Sequence, residues 1–282
     1  MITIGLTTWS EHTTLVKDEK RAVSLEEYAA YFPVVEVDTF FYGLPRLETV
    51  QKWQKQVPRN FQFIVKANKG LTKHPGENLT GKLLQQRFID FKKSIGSLIR
   101  DKQLKTILLQ FPPFFRATKE NVAYLHYIRE QLVGLPLSLE LRNQSWFEEG
   151  IKESLIKFCL DKQYTLVAVD EPTNTLASIP FVLTKTNPEL LLVRLHGRNE
   201  RGWNASGKEW RKQRTLYKYN LAELTELKEQ LVLYEQDVKD ICVIFNNNAG
   251  GDAAPNALEL QRIMQVKFDN LGKKPPEQLD LF

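Results

Sequence analysis

The sequence predicts an α/β protein built as a single (β/α)8 barrel. Three observations carry this expectation. Eight short apolar runs are spread along the 282 residues, stretches with helical spacing alternate with them, and several runs place a polar or charged residue at every second position. Successive strand side chains face opposite ways. Leu137, Leu139 and Leu141 therefore share one face, and Ser138, Glu140 and Arg142 share the other. The same parity separates Val35 and Val37 from Glu36 and Asp38, and Val193 and Leu195 from Arg194 and His196. One face suits contact with helices, and the other lines an interior that turns polar towards one end.

The elements follow in order. Thr3–Trp9 reads as the first strand. A short helix follows over Ser24–Phe32, opened by a capping box of Ser24 with Glu27. Val34–Phe40 is the second strand, and Arg46–Val57 a helix with Leu47, Val50, Trp53 and Val57 at helical intervals. Phe61–Asn68 then leads to the helical stretch Lys82–Ile99, and Thr106–Phe111 to Ala117–Val133. Leu137–Asn143 is followed by Phe147–Lys162. After Thr165–Glu171 there is only PTNTLASIP, too short for a full helix. Leu190–Gly197, a helix over Leu221–Tyr234, Ile241–Asn248 and a helix over Asn256–Val266 complete the series. Regular alternation gives parallel strands, and eight right-handed crossovers close a barrel. The barrel domain spans residues 1–268, and residues 269–282 form a flexible tail.

Composition bounds the class. Hydrophobic residues are 42% and charged residues 26%, as in a folded globular protein. No apolar stretch reaches the roughly 18 residues of a membrane span. The opening MITIGLTTW reads as a strand rather than a signal peptide. Cys159 and Cys242 stand alone, which points to core positions and a cytoplasmic location.

Chemistry in such a barrel sits where strands end and βα loops begin. The inward candidates are Glu36, Asp38, Lys66, Asn68, Gln110, Glu140, Arg142, Asp170, Arg194, His196, Asn246 and Asn248. So many charges near strand ends favour a functional site over an ion-pair network. The loop RLHGR adds Arg198, and NNNAGGDAAP delivers a helix N-terminus through Gly250 and Gly251. Loops after the last two strands commonly hold phosphate. Between Arg194 and Lys218, eight basic residues face only Glu200 and Glu209, with Trp203, Trp210 and Tyr217 interleaved. That mixture suits a nucleic-acid strand, or else a solvated helix whose aromatics pack on the barrel.

These segments resemble the YecE-like proteins, the TIM-barrel family catalogued as domain of unknown function seventy-two. The matching pieces are Trp9, EVDTFFY at Glu36–Tyr42, FIVKANKGLTKH at Phe63–His74, LQFPP at Leu109–Pro113, ELRNQSW at Glu140–Trp146, DEP at Asp170–Pro172, RLHGR at Arg194–Arg198, and FNNN with ALEL in Phe245–Leu260. Asp38 departs from the small polar residue expected there. The resemblance implies the fold and the location of the site, and no reaction.

From residues and resemblance together, Glu36, Glu140, Asp170 and His196 are the catalytic candidates. Glu140 or Asp170 would be the base or a metal ligand, and His196 the acid. Trp9, Tyr42, Lys66, His74, Gln110, Arg142, Trp146, Arg194, Arg198, Asn246, Asn247 and Gly251 would hold a phosphate-bearing substrate. With four histidines the chain is poorly equipped for a multinuclear zinc centre. The sequence specifies no cofactor, and Glu36, Glu140 and Asp170 would suit a hard divalent ion such as Mg2+ or Mn2+ through oxygen. The tail QLDLF, with Gln278, Leu279, Asp280, Leu281 and Phe282, resembles the peptide that binds the bacterial DNA sliding clamp. Pro275 and Pro276 would hold it away from the barrel. The expected function is a hydrolase on a phosphate-bearing substrate, with nucleic acid as one such substrate. A non-catalytic binding protein of a replication or repair assembly is the alternative, and a carbohydrate hydrolase the third reading.

Overall fold

The computed structural model describes residues 1–16, 21–173, 178–204 and 213–273. Its strands are β1 Ile2–Thr7, β2 Val34–Val37, β3 Gln62–Lys66, β4 Leu104–Gln110, β5 Leu137–Glu140, β6 Tyr164–Leu166, β7 Ala168–Asp170, β8 Leu191–Leu195 and β9 Ile241–Phe245. They form one parallel sheet in the order β6-β5-β4-β3-β2-β1-β9-β8-β7. Its two ends, β6 and β7, are separated in sequence by Val167 alone, so the sheet nearly closes on itself. The sixth expected strand is therefore one extended segment broken in two. Its first half pairs with β5 and its second with β8.

The expected faces are seen in the packing. Val35, Val37, Leu137, Leu139, Val193 and Leu195 belong to the outer cluster shared with the helices. A separate inner cluster holds Val34, Ile64, Leu108, Val167, Val169, Leu192 and Ile244. Gly5 lets β1 and β2 approach, because a Cβ there would lie 2.3 Å from the Val34 carbonyl oxygen.

The helices agree with the apolar spacing, with shorter ends. They run over Leu25–Tyr28, Leu47–Lys55, Gly81–Ser94, Gly96–Arg100, Lys119–Gln131, Ile151–Lys162, Leu221–Val232 and Ala253–Ile263. The Ser24–Glu27 capping box is present. The long expected helix over Lys82–Ile99 is interrupted at Ile95. No helix is found between β7 and β8 among the described residues. The second strand stops at Val37 rather than Phe40, because Thr39–Tyr42 turns into a helix.

After the last helix the chain stays on the barrel. Phe268 packs on the outer cluster, and the Gly272 amide donates to the Ala29 carbonyl at 2.8 Å. The tail residues Gln278, Leu279, Asp280, Leu281 and Phe282 lie outside the described residues. No helix among those described is long and apolar enough to cross a membrane.

Candidate functional site

Arg194 on β8 organises the interior at the carboxyl ends of the strands. Its guanidinium binds Glu36 on β2 through Nε at 2.8 Å and Nη2 at 2.5 Å, and its Nη1 donates to Glu140 on β5. Glu36 and Glu140 are fully buried, and Arg194 nearly so. Glu140 also accepts from Gln110 at 2.7 Å and from Arg142 at 3.1 Å. Arg142 continues to Glu171 at 2.8 Å, and the Ile179 amide donates to the other Glu171 oxygen at 2.7 Å. Asn246 lies 2.7 Å from Nδ1 of His196, whose Nε2 is 3.5 Å from Glu140.

The charges differ in what they can do. Burial raises the Glu140 carboxyl, but Arg194, then His196 and Arg142, outweigh it and hold Glu140 well below the usual range. Burial pushes Glu36 up, and Arg194 offsets part of that. Burial and then the Arg194 charge bring His196 down to about 3, so its imidazole is neutral near neutral pH. It therefore lacks the extra proton expected of a general acid. Glu171 is the exception. Burial raises it to about 7 despite Arg142, so it gains and loses a proton near neutrality.

Several expected site residues stand elsewhere. Asp170 is not inward-facing: Val167 and Val169 lie in the inner cluster and Ala168 in the outer one, so Asp170 shares the outer face. It accepts from Tyr219 at 2.6 Å and from Arg198 at 2.9 Å. Arg198 also lies 3.5 Å from Glu223, so two carboxylates engage this guanidinium. Both border a cavity of about 350 Å3 that Glu171, Glu200, Glu223 and Glu226 also line. Trp146 is core, its indole donating to the Phe115 carbonyl at 2.7 Å. Asn247 is fully buried and ties the Tyr217 carbonyl to Asn256.

In the glycine loop after β9, one expected anion donor is engaged within the loop. The Gly251 amide donates to the Asn248 carbonyl at 3.0 Å, and Asn248 holds Glu11 at 2.5 Å. A Cβ on Gly250 would meet the Asp252 carboxylate at 2.8 Å. Gly197, at φ +91°, makes room for Tyr217 rather than for a ligand.

On the β2–β3 side, Lys66 sits 3.5 Å from Asp38 and 4.8 Å from the Phe41 ring centre. His74 packs edge-on to Phe41 and pairs with Thr72 at 2.9 Å. Tyr42 is exposed, and Trp9 packs edge-on to Trp53. Asp38 and Lys66 act electrostatically on Glu36, so this side is continuous with the central network.

The carboxylates do not fit a divalent metal. Arg194 already bridges Glu36 and Glu140, supplying the cation they would otherwise need. Among the described residues, no three His, Cys, Asp or Glu side chains gather as a ligand set.

Sequence reasoning missed Glu171, although it lies in the quoted DEP segment. The run TLVAVDE is apolar on both faces, so alternation gave no phase. The segment around Trp203 is open to two readings in the sequence, base stacking or packing on the barrel, and a buried Trp203 does not offer a face for stacking. It is 4% exposed, with the Arg142 and Arg214 guanidiniums 4.9 and 4.5 Å from its ring centre. Trp210, Lys208, Arg211 and Lys212 lie outside the described residues.

Comparison with known proteins agrees with the fold. The family model described as "Protein of unknown function DUF72" matches residues 3–279. UPF0759 protein YunF of Bacillus subtilis is 39% identical over 285 residues, covering 100% of both chains. UPF0759 protein YecE of Escherichia coli K12 is 29% identical over 161 residues, 55% of this chain and 54% of that one. A crystal structure of a DUF72 family protein (EF0366) from Enterococcus faecalis superposes with a TM-score of 0.91 at 43% identity, covering 99% of this chain and 100% of that one. Another, TM1631 from Thermotoga maritima, gives 0.78 at 29% identity, over 94% of this chain and 100% of that one.

Proposed function

The chain belongs to the DUF72 family, and from the geometry at the carboxyl end of its barrel we propose that it is a hydrolase of phosphate-bearing substrates. The observation carrying this reading is Glu171, a buried carboxyl titrating near 7 and held 2.8 Å from Arg142. General acid–base groups work best with a pKa near the operating pH. Arg142 supplies a guanidinium beside it, a donor suited to phosphate oxygens. Glu36, Glu140 and Arg194 are the rigid support that fixes Arg142, and Glu171 takes the role first expected of Glu140 or Asp170.

Nucleic acid stays within this reading as a source of phosphoesters. Contacts from exposed Arg201 and Lys218 would be to its backbone, since Trp203 has no open face for stacking. Recruitment to a sliding clamp is a separate proposal, supported by the QLDLF ending alone.

The test is turnover of p-nitrophenyl phosphate and bis(p-nitrophenyl) phosphate by the wild type and by Glu171→Gln. Hydrolysis by the wild type, reduced about a hundredfold or more in the folded variant, is the expected result. Saturable binding of these probes with no turnover would favour the non-catalytic alternative.

A further inference from the structure

Trp203 and Arg142 each leave one N–H donor without a hydrogen-bond partner. Trp203 is 4% exposed and the Arg142 side chain 10%, yet indole Nε1 and guanidinium Nε are both unsatisfied. An unpaired buried donor costs about 1–3 kcal/mol, so two in touching side chains call for an occupant.

Local structure explains why the two meet. The Asn199 side chain accepts from the Gly202 amide at 3.1 Å and donates to the Gln213 and Leu216 carbonyls at 2.9 and 3.1 Å. Gly202 permits that closure, since a Cβ would lie 2.1 Å from the Gln213 carbonyl oxygen. The short helix Glu200–Trp203 thereby places its last residue against Arg142. Nη1 and Nη2 of Arg142 face Glu140 and Glu171, while its Nε has no hydrogen-bond partner.

We propose that Trp203 Nε1 and Arg142 Nε form a paired donor site for the oxygens of a phosphate group, with Trp203 binding through its edge rather than its face. The site rests on the reading of the barrel mouth as a phosphate-ester site and adds a residue that determines which ligand is held. The charge around it agrees. Arg142 and Arg214 flank the ring, Glu140 is shared with Arg194, and Glu171 is the nearby carboxylate that can become neutral. An anion would balance the guanidiniums whenever Glu171 is protonated.

The experiment is titration of the full chain with inorganic phosphate by calorimetry, alongside the indole N–H proton resonances of its tryptophans. Trp203→Phe keeps an aromatic ring beside the guanidiniums and removes the indole N–H. Its phosphate affinity should fall about tenfold to a hundredfold, the worth of a hydrogen bond to a charged acceptor. In the wild type, the Trp203 indole proton should move downfield as phosphate saturates. The Trp146 proton, already bonded to the Phe115 carbonyl, should not move. The resonance test stands even if the variant fails to fold. Unchanged affinity in a folded Trp203→Phe, or a Trp203 resonance insensitive to bound phosphate, would overturn the paired site. If ester turnover still depended on Glu171, the hydrolase reading would survive that failure. No phosphate binding and no turnover by the wild type would overturn both.

Discussion

Glu140 and Glu171 are neighbours in space with opposite duties, and both duties follow from their partners. Glu140 receives Arg194, Arg142 and Gln110 in a fully buried position. Replacing it by Gln strands two guanidiniums, so Glu140→Gln should cost about 3–5 kcal/mol. Denaturant unfolding measures this, and a loss below about 1 kcal/mol would contradict a supporting role. Glu171 behaves in the opposite sense. Its pKa is raised from 4.5 to about 7 in the fold, so its contribution is present below 4.5 and lost as pH rises through 7. At about pH 8, Glu171→Gln should therefore stabilise the protein by about 3 kcal/mol, with little change in acid. His196 has the reverse linkage. Its pKa falls from 6.5 to about 3, so its contribution is present above 6.5 and lost on acidification through 3. Unfolding curves of both proteins across this range separate the two effects. At this scale the inward charges of β2, β5 and β8 were legible because their strands alternate. Glu171 was not, because β7 has apolar neighbours on both faces.

At the level of elements, the fold depends on close approaches that apolar periodicity does not reveal. Gly5 on β1 is one, with the Val34 carbonyl oxygen where its Cβ would be. Gly5→Ala should force β1 from β2 and destabilise by about 1–3 kcal/mol, readable as a lower melting midpoint. The Asn199 tie to Gln213 and Leu216 is another. It depends on residues fourteen and seventeen positions away, beyond any local pattern. The strands themselves were largely legible, since β-branched and alternating runs mark them. In the loops, two glycines read as ligand-facing serve the protein itself. Gly197 and Gly251 do adopt positive φ, but the space or amide they provide serves Tyr217 and Asn248. A glycine in sequence shows that something approaches closely, and leaves open whether it is ligand or protein.

At the level of the whole molecule, the nearly closed sheet brings β2, β5 and β8 around one guanidinium, which no single segment could do. The order of elements predicted that closure, while the identity of the central cation required the register of all three strands. The C-terminal peptide makes an independent claim. Deleting Gln278–Phe282 should abolish binding to a bacterial sliding clamp by calorimetry and leave the melting temperature unchanged. Retained binding would remove the peptide as the recruiting element. The hydrolase reading is tested most directly by the pH profile of kcat/KM for bis(p-nitrophenyl) phosphate. A transition with a midpoint near 7, the Glu171 value, is the expected result. A profile with no transition near neutrality, or one centred at the ordinary 4.5 of a free glutamate, would contradict Glu171 as the acid–base group.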